Sequence, residues 1–246
     1  MQVRFRHEAE AFINPILQLK EATTQTRGTK MELYEAMRTT FACREFTGGA
    51  VPGEVLQRII DNARFAPSGG NRQGWRIINI VDSDKKEQLA DLSLAAATRY
   101  VMEKQAGENP FNSIHPSSVT DEQVLAAEPP QWFVAYIRNA PTLLVVTVDL
   151  SRVASMDRHL DRVGVVSGGS IYPLVWNILL AARNEGYAGT ITTMAADKEA
   201  QVQELLGIPS HWAVAAVIPL GKPLKQLTML KRKPVEEILF TDSWDG

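Results

Sequence analysis

Ala66-Pro67-Ser68-Gly69-Gly70-Asn71-Arg72-Gln73-Gly74-Trp75 is the stretch that decides how this chain is read. Pro67 restricts the backbone on entry, and the paired glycines let main chain approach a flat ligand closely. Asn71 and Gln73 place amides at alternate positions, each able to donate and accept. A planar heterocycle edged with carbonyls and ring nitrogens is what such amides match. An ordinary turn into a strand does not need this density of amides and glycines. Trp75 then opens an Ile-rich strand that runs to Val81.

Two further segments belong with this loop. Upstream, Arg38-Thr39-Thr40-Phe41-Ala42-Cys43-Arg44-Glu45-Phe46 packs two arginines and two hydroxyls around the end of a short helix, Glu32 to Arg38. Guanidinium and hydroxyl groups suit a phosphate and a polyol chain, through charge-assisted and neutral hydrogen bonds. Downstream, Gly186 to Met194 is a strand or turn of small and Thr residues. Such a segment can lay backbone N–H groups against the edge of a ring.

Between these segments the periodicity predicts alternating helices and strands. Leu56, Ile59, Ile60 and Ala63 fall on one face of a helix from Gly53 to Phe65. Lys85 to Gln105 reads as one helix and Gly107 to Ser118 as a polar loop. Leu143 to Leu150 is a strong strand. Gly164 to Glu185 reads as a long apolar helix, in which Pro173 marks a kink or the first turn. Lys198 to Leu206 is a helix and Ala213 to Leu220 a strand, stopped by Gly221-Lys222-Pro223. Residues 1–30 form a polar N-terminal extension, with a helical stretch from Glu8 to Lys20 interrupted by Pro15. The domain proper covers residues 31–246, with a lid segment at about 107–138 and a polar C-terminal arm at about 224–246.

Composition narrows the function classes. The chain has 246 residues, 45% of them hydrophobic, with a formal net charge of −2. That excludes disorder and gives no global basic balance for nucleic acid or an anionic membrane. No apolar run has the length of a signal peptide core or a membrane span. The single cysteine, Cys43, rules out an internal disulfide and fits a cytoplasmic, reducing environment. Its neighbour Arg44 could lower the thiol pKa, yet a buried, inert thiol is the expectation.

Several chemistries are absent by pattern. Gly28-Thr29-Lys30 lacks the spacing and the preceding strand of a phosphate loop, and no G-x-G-x-x-G follows a strand. Ser167 and Ser170 lack the flanks of a nucleophile elbow and read as small residues for close packing. His7, His115, His159 and His211 are too scattered for a metal site, so none is expected.

Taken together, the three segments resemble the nitroreductase family of FMN enzymes. Members share R-x-F after a helix, a following V-P, an A-P-S-x-x-N-x-Q-x-W loop, a late G-x-G-[ST] strand and a basic residue after G-x-P. Here these are Arg44-Glu45-Phe46, Val51-Pro52, Ala66 to Trp75, Gly186 to Thr190 and Arg232. The resemblance implies an α+β (layered α/β) fold, with a central, mostly antiparallel sheet surrounded by helices and two chains intertwined as a homodimer. It also implies FMN as cofactor and NADPH or NADH as reductant.

The implied contacts follow position by position. Arg44 approaches the FMN phosphate or the flavin N1–O2 edge, with Thr40, Phe41 and Ala42 lining the same region. Pro67, Ser68, Gly69, Asn71 and Gln73 contact flavin, reaching that of the partner subunit. Ile191, Thr192 and Thr193 lie near N5, the two threonines offering backbone N–H. Arg232, with Lys231, pairs with the phosphate. Many members have Arg-Arg-Ser where this chain has Thr40-Phe41-Ala42, and Arg38 stands one helical turn away as a substitute.

The activity implied is reduction of a small, planar, electron-poor substrate of nitroaromatic or quinone type, by a ping-pong scheme with chemistry at flavin N5 and no named catalytic side chain. Phe111, Trp132, Phe133 and Tyr136 in the lid segment select that substrate. Alternatives in the same superfamily are reductive dehalogenation and O2-dependent processing of flavin. A non-catalytic flavin-binding protein is the alternative outside it.

Overall fold

A computed structural model describes residues Met31–Trp244. The expected N-terminal extension and its helix lie outside the described residues. In chain order the elements are α1 (Leu33–Thr39), β1 (Phe46–Thr47), α2 (Gly53–Ala63), β2 (Trp75–Ile80), α3 (Ser83–Leu92), α4 (Leu94–Gln105), α5 (Asp121–Ala126), α6 (Gln131–Arg138), β3 (Thr142–Asp149), α7 (Tyr172–Asn184), β4 (Ala188–Gly189), α8 (Glu199–Leu206) and β5 (Trp212–Pro223).

The sheet is five-stranded in the order β1-β5-β3-β2, with β4 also paired to β5. All strand pairings are antiparallel, with Trp75 opposite Val148 on one side of β3 and Leu143 opposite Pro219 on the other. The antiparallel sheet between helical layers is the α+β architecture expected. Every residue of β3 is buried. Its side chains alternate between two helical layers, as the period-two pleat requires. Leu144, Val146 and Val148 pack with Ile59 of α2 and Leu174, Val175 and Ile178 of α7. Leu143 and Val145 pack with Leu89 of α3 and Val134 and Ile137 of α6.

Local chemistry sets several boundaries. The Asp82 carboxylate accepts from the amides of Asp84 and Lys85 and starts α3. Thr120 and Gln123 form a reciprocal capping box at α5. Gly207, in the left-handed region, ends α8.

The structure corrects four sequence expectations. The helix expected over Lys85 to Gln105 is two helices that meet at Ser93, whose hydroxyl donates to the Leu89 carbonyl. The long helix expected from Gly164 starts only at Tyr172. A 3₁₀ turn at Val166–Ser170 precedes it, and Pro173 sits in its first turn. Gly221-Lys222-Pro223 does not stop β5, because Phe46 and Thr47 pair with Pro223 and Lys222 and carry the strand on. The segment 107–138, expected as a lid, contains α6, whose Val134 and Ile137 are fully buried core. Among the described residues, the tail beyond Pro223 has only a short 3₁₀ turn at Val235–Glu237, and Met229, Leu239 and Trp244 are exposed.

Candidate functional site

The sheet edge around β4 brings two of the three sequence segments together. The Cys43 amide donates to the Gly189 carbonyl, and Ala42 bridges Gly189 in parallel. The Leu224 amide donates to the Glu45 carbonyl. These main-chain bonds fix Arg44 at the mouth of a cavity of about 720 Å³. Its other walls are Tyr100 and Glu103 of α4, Phe111, Phe133 and Tyr136, and the run Ile191–Met194.

The cavity carries both charge and aromatic surface. The Arg44 guanidinium lies over the Tyr136 ring, 5.4 Å from its centroid. Tyr100 meets Phe111 edge-on at 5.6 Å and Phe133 at 5.1 Å. Arg99 donates to the Val119 carbonyl at 2.8 Å and pairs with Asp121, which ties α5 to α4. Lys198 pairs with Asp197 at 3.1 Å.

The Thr192 amide is committed to the Val217 carbonyl, and its carbonyl accepts in return from the Val217 amide. The expectation that Thr192 offers its N–H to a ligand therefore does not hold. Unlike Thr192, Thr193 lines the cavity with an amide that has no acceptor among the described residues.

The expected residues divide into three places. Arg44, Ile191, Thr192, Thr193, Phe111, Phe133 and Tyr136 line the cavity. Trp132 does not: it is exposed and packs edge-on against Phe133. Arg38 and Arg232 line a separate concavity with Tyr34, Met37 and Met229, where no acidic side chain accompanies them. Lys231 is exposed, and its carbonyl accepts from Arg232. Thr40 is buried with its hydroxyl donated to the Ala36 carbonyl, Phe41 is half-buried and Ala42 is exposed.

The third place is the loop of Pro67, Ser68, Gly69, Asn71 and Gln73, which borders neither concavity. The Ser68 hydroxyl accepts from the Gln73 amide, and Ser170 accepts from the Gly69 amide at 3.1 Å. The Gln73 side chain donates to Asn71 Oδ1. Asn71 and Gln73 both hold left-handed backbone, at φ 53° and 48°. That conformation is costly for residues with side chains and persists where surrounding bonds impose it.

Sequence reasoning missed the α4 wall. Tyr100 and Glu103 sit three apart on an Ala-rich helix, and that spacing places them on one face. Cys43 is buried, its thiol donates to the Glu45 carbonyl, and burial pushes its pKa up. It has the character of an inert thiol.

Residues 37–222 match the model of the nitroreductase family. The chain belongs to the nitroreductase family. Among curated proteins it is similar to human iodotyrosine deiodinase 1, with 27% identity over 212 residues that cover 85% of this chain and 68% of the relative. Among solved structures, an oxidized iodotyrosine deiodinase bound to FMN and 3-iodo-L-tyrosine superposes with a TM-score of 0.63 at 21% identity, covering 87% of this chain and 100% of that one. The NADPH:FMN oxidoreductase of Vibrio harveyi, complexed with NAD+, gives 0.61 at 22% identity, covering 86% and 77%. At these identities the structural likenesses speak for the fold: the nitroreductase-family sheet flanked by helices.

Proposed function

We propose that this nitroreductase-family chain is an FMN-dependent oxidoreductase that reduces a small, planar, electron-poor substrate in the cavity beside Arg44. One observation carries the reading. The Arg44 guanidinium has no acidic partner among the described residues and borders the same cavity as an aromatic wall and Thr193, whose amide has no acceptor among those residues. A cation and an uncommitted N–H are what a flavin needs at its electron-rich edges.

FMN, when bound, supplies hydride chemistry at N5, with NADPH or NADH as the electron source. Arg44 would hold the N1–O2 edge and the Thr193 amide the N5 side. Arg38 and Arg232, brought to one concavity, would hold the phosphate, which answers the missing Arg-Arg-Ser. The loop from Pro67 to Gln73 lines neither of the two concavities described above. We assign it to the flavin of the partner subunit in a homodimer, with the arm at 224–246 crossing to that partner. A cytoplasmic setting accompanies this reading. Tyr100, Phe111, Phe133 and Tyr136 would exclude water and stack the substrate.

A second reading is reductive dehalogenation, favoured because curated relatives include proteins named iodotyrosine deiodinase 1 and iodotyrosine dehalogenase 1 homolog. One experiment tests both. Purified protein is titrated anaerobically with NADH and NADPH in the visible spectrum, then assayed with nitroaromatics, quinones and halophenols. Bleaching followed by nitro or quinone reduction with parallel double-reciprocal lines supports the first reading. Halide release without nitro or quinone reduction supports the second. A colourless protein that takes up no added FMN sinks both.

A further inference from the structure

Glu103 is only 9% exposed, yet no described residue gives its carboxylate a hydrogen bond or an ion pair. No buried side-chain oxygen of the described residues is both sealed and unpartnered, so the Glu103 oxygens keep some accessible surface, and Glu103 lines the cavity. Arg99, one turn earlier and at helical spacing for a pair, is instead turned to Val119 and Asp121. Lys198, the other cation of the α8 side, is held by Asp197. A carboxylate so buried and left unpaired is costly unless something cationic joins it.

The surroundings say what kind of cation. Tyr100 lies one turn from Glu103 on the same face, and with Phe111 and Phe133 it makes three ring planes inclined to one another. Inclined rings around an acidic group bind an ammonium by its attraction to ring faces and by charge-assisted hydrogen bonds. A metal ion does not fit, since Glu103 belongs to no group of three candidate ligands among the described residues. A guanidinium or ammonium on a flat molecule does.

We propose that Glu103 is a specificity-determining residue and that the substrate of this cavity is an aromatic compound carrying an alkylammonium group, without a carboxylate beside it. This rests on the oxidoreductase reading above, which gives Arg44 to the cofactor. With Arg99 and Lys198 already paired, the described residues of the cavity then offer one unpaired anion and no spare cation. A monocationic amine satisfies that balance, whereas an amino-acid zwitterion leaves its carboxylate unmatched and a neutral phenol leaves Glu103 unmatched.

The test is calorimetry on the protein as purified, with whatever flavin it carries. The ligands are an ethyl-nitrophenol, its aminoethyl analogue nitrotyramine and the amino acid nitrotyrosine. Wild-type protein should bind nitrotyramine roughly tenfold to a hundredfold more tightly than either of the others. Glu103→Gln should collapse the amine-to-phenol ratio toward one, and Tyr100→Leu should reduce it. Equal binding of the three ligands by wild type would overturn the proposal, even if Glu103→Gln fails to fold. So would equal binding of nitrotyrosine and nitrotyramine, or a ratio that survives Glu103→Gln. Turnover is read separately. An intact ratio without reduction of any acceptor supports the amine site and removes the oxidoreductase reading alone.

Discussion

The Arg44 guanidinium rests on the face of Tyr136, 5.4 Å from its centroid. This contact joins the segment after α1 to the base of α6, which is anchored in the core through Val134 and Ile137. The cation is thereby held over an aromatic face without an acid to neutralise it. Arg44→Ala should weaken FMN retention roughly tenfold to a hundredfold, from the loss of one charge-assisted contact. Tyr136→Phe keeps the ring and should stay within about threefold of wild type, whereas Tyr136→Ala should approach the arginine variant. Dissociation constants from flavin fluorescence would decide. Equal retention by all three variants would remove Arg44 from the cofactor site.

Gly189 should tolerate no side chain. A Cβ there would meet the Pro219 carbonyl oxygen at 2.5 Å, Leu220 at 3.0 Å and Leu179 at 3.2 Å. Neither backbone nor packed core can withdraw, so Gly189→Ala should cost about 2 kcal/mol or more and lower Tm by roughly 4–8 °C. Flavin retention should fall with it, because Gly189 also receives the Cys43 amide beside Arg44. Gly53→Ala, where a Cβ meets nothing, is the control.

Asp157 makes stability depend on acid. Amides of Val165 and the Arg162 guanidinium hold its carboxyl at about 2, below the ordinary 3.8. A carboxyl depressed on folding stabilises fully above its unfolded value, and that stabilisation fades as pH falls through the folded one. Thermal melts of wild type should therefore lose stability between about pH 4 and pH 2. Asp157→Asn should melt lower at neutral pH and show a shallower loss across that window. Parallel profiles for the two proteins would refute the assignment.

Arg99 should control residues 107–130, the part of the expected lid that precedes α6. Its bonds to Val119 and Asp121 bind α5 to α4 over the cavity. Arg99→Ala should speed proteolytic cleavage between Gly107 and Thr120 and raise KM several-fold, with a Tm change under about 1 °C. Limited proteolysis with mass mapping would show it, and an unchanged cleavage rate would argue against a latch.

Much of this was legible in the sequence where the signal is local. The apolar run Leu143–Val146 read as a strand because it is buried on both faces, and the helical spacing of Ile59 and Ala63 marked α2. The Arg44 segment and the Ala66 loop stood out by residue chemistry. What stayed hidden depends on distant partners. β5 continues through Gly221-Lys222-Pro223 only because Phe46 and Thr47 pair there. Trp132 and Phe133 suggested a lid, but the helix that carries them is fixed by Val134 and Ile137 in the core. Glu103 looked like any helical acid until Arg99 was seen turned away. Arg38 and Arg232 meet through the path of the tail, which no periodicity encodes.

The placement of β5 between β3 and β1 bears on how the chain is made. A ribosome releases β2 and β3 long before Trp212–Pro223, yet one edge of β3 has no other partner. At about 5–20 residues per second, the stretch from Asp149 to Trp212 takes several seconds to emerge. Through that interval the nascent chain displays a largely apolar strand with an open edge, the feature most prone to pair with another molecule. Production of this protein should accordingly respond to translation rate and chaperone supply more than to the stability of the finished fold.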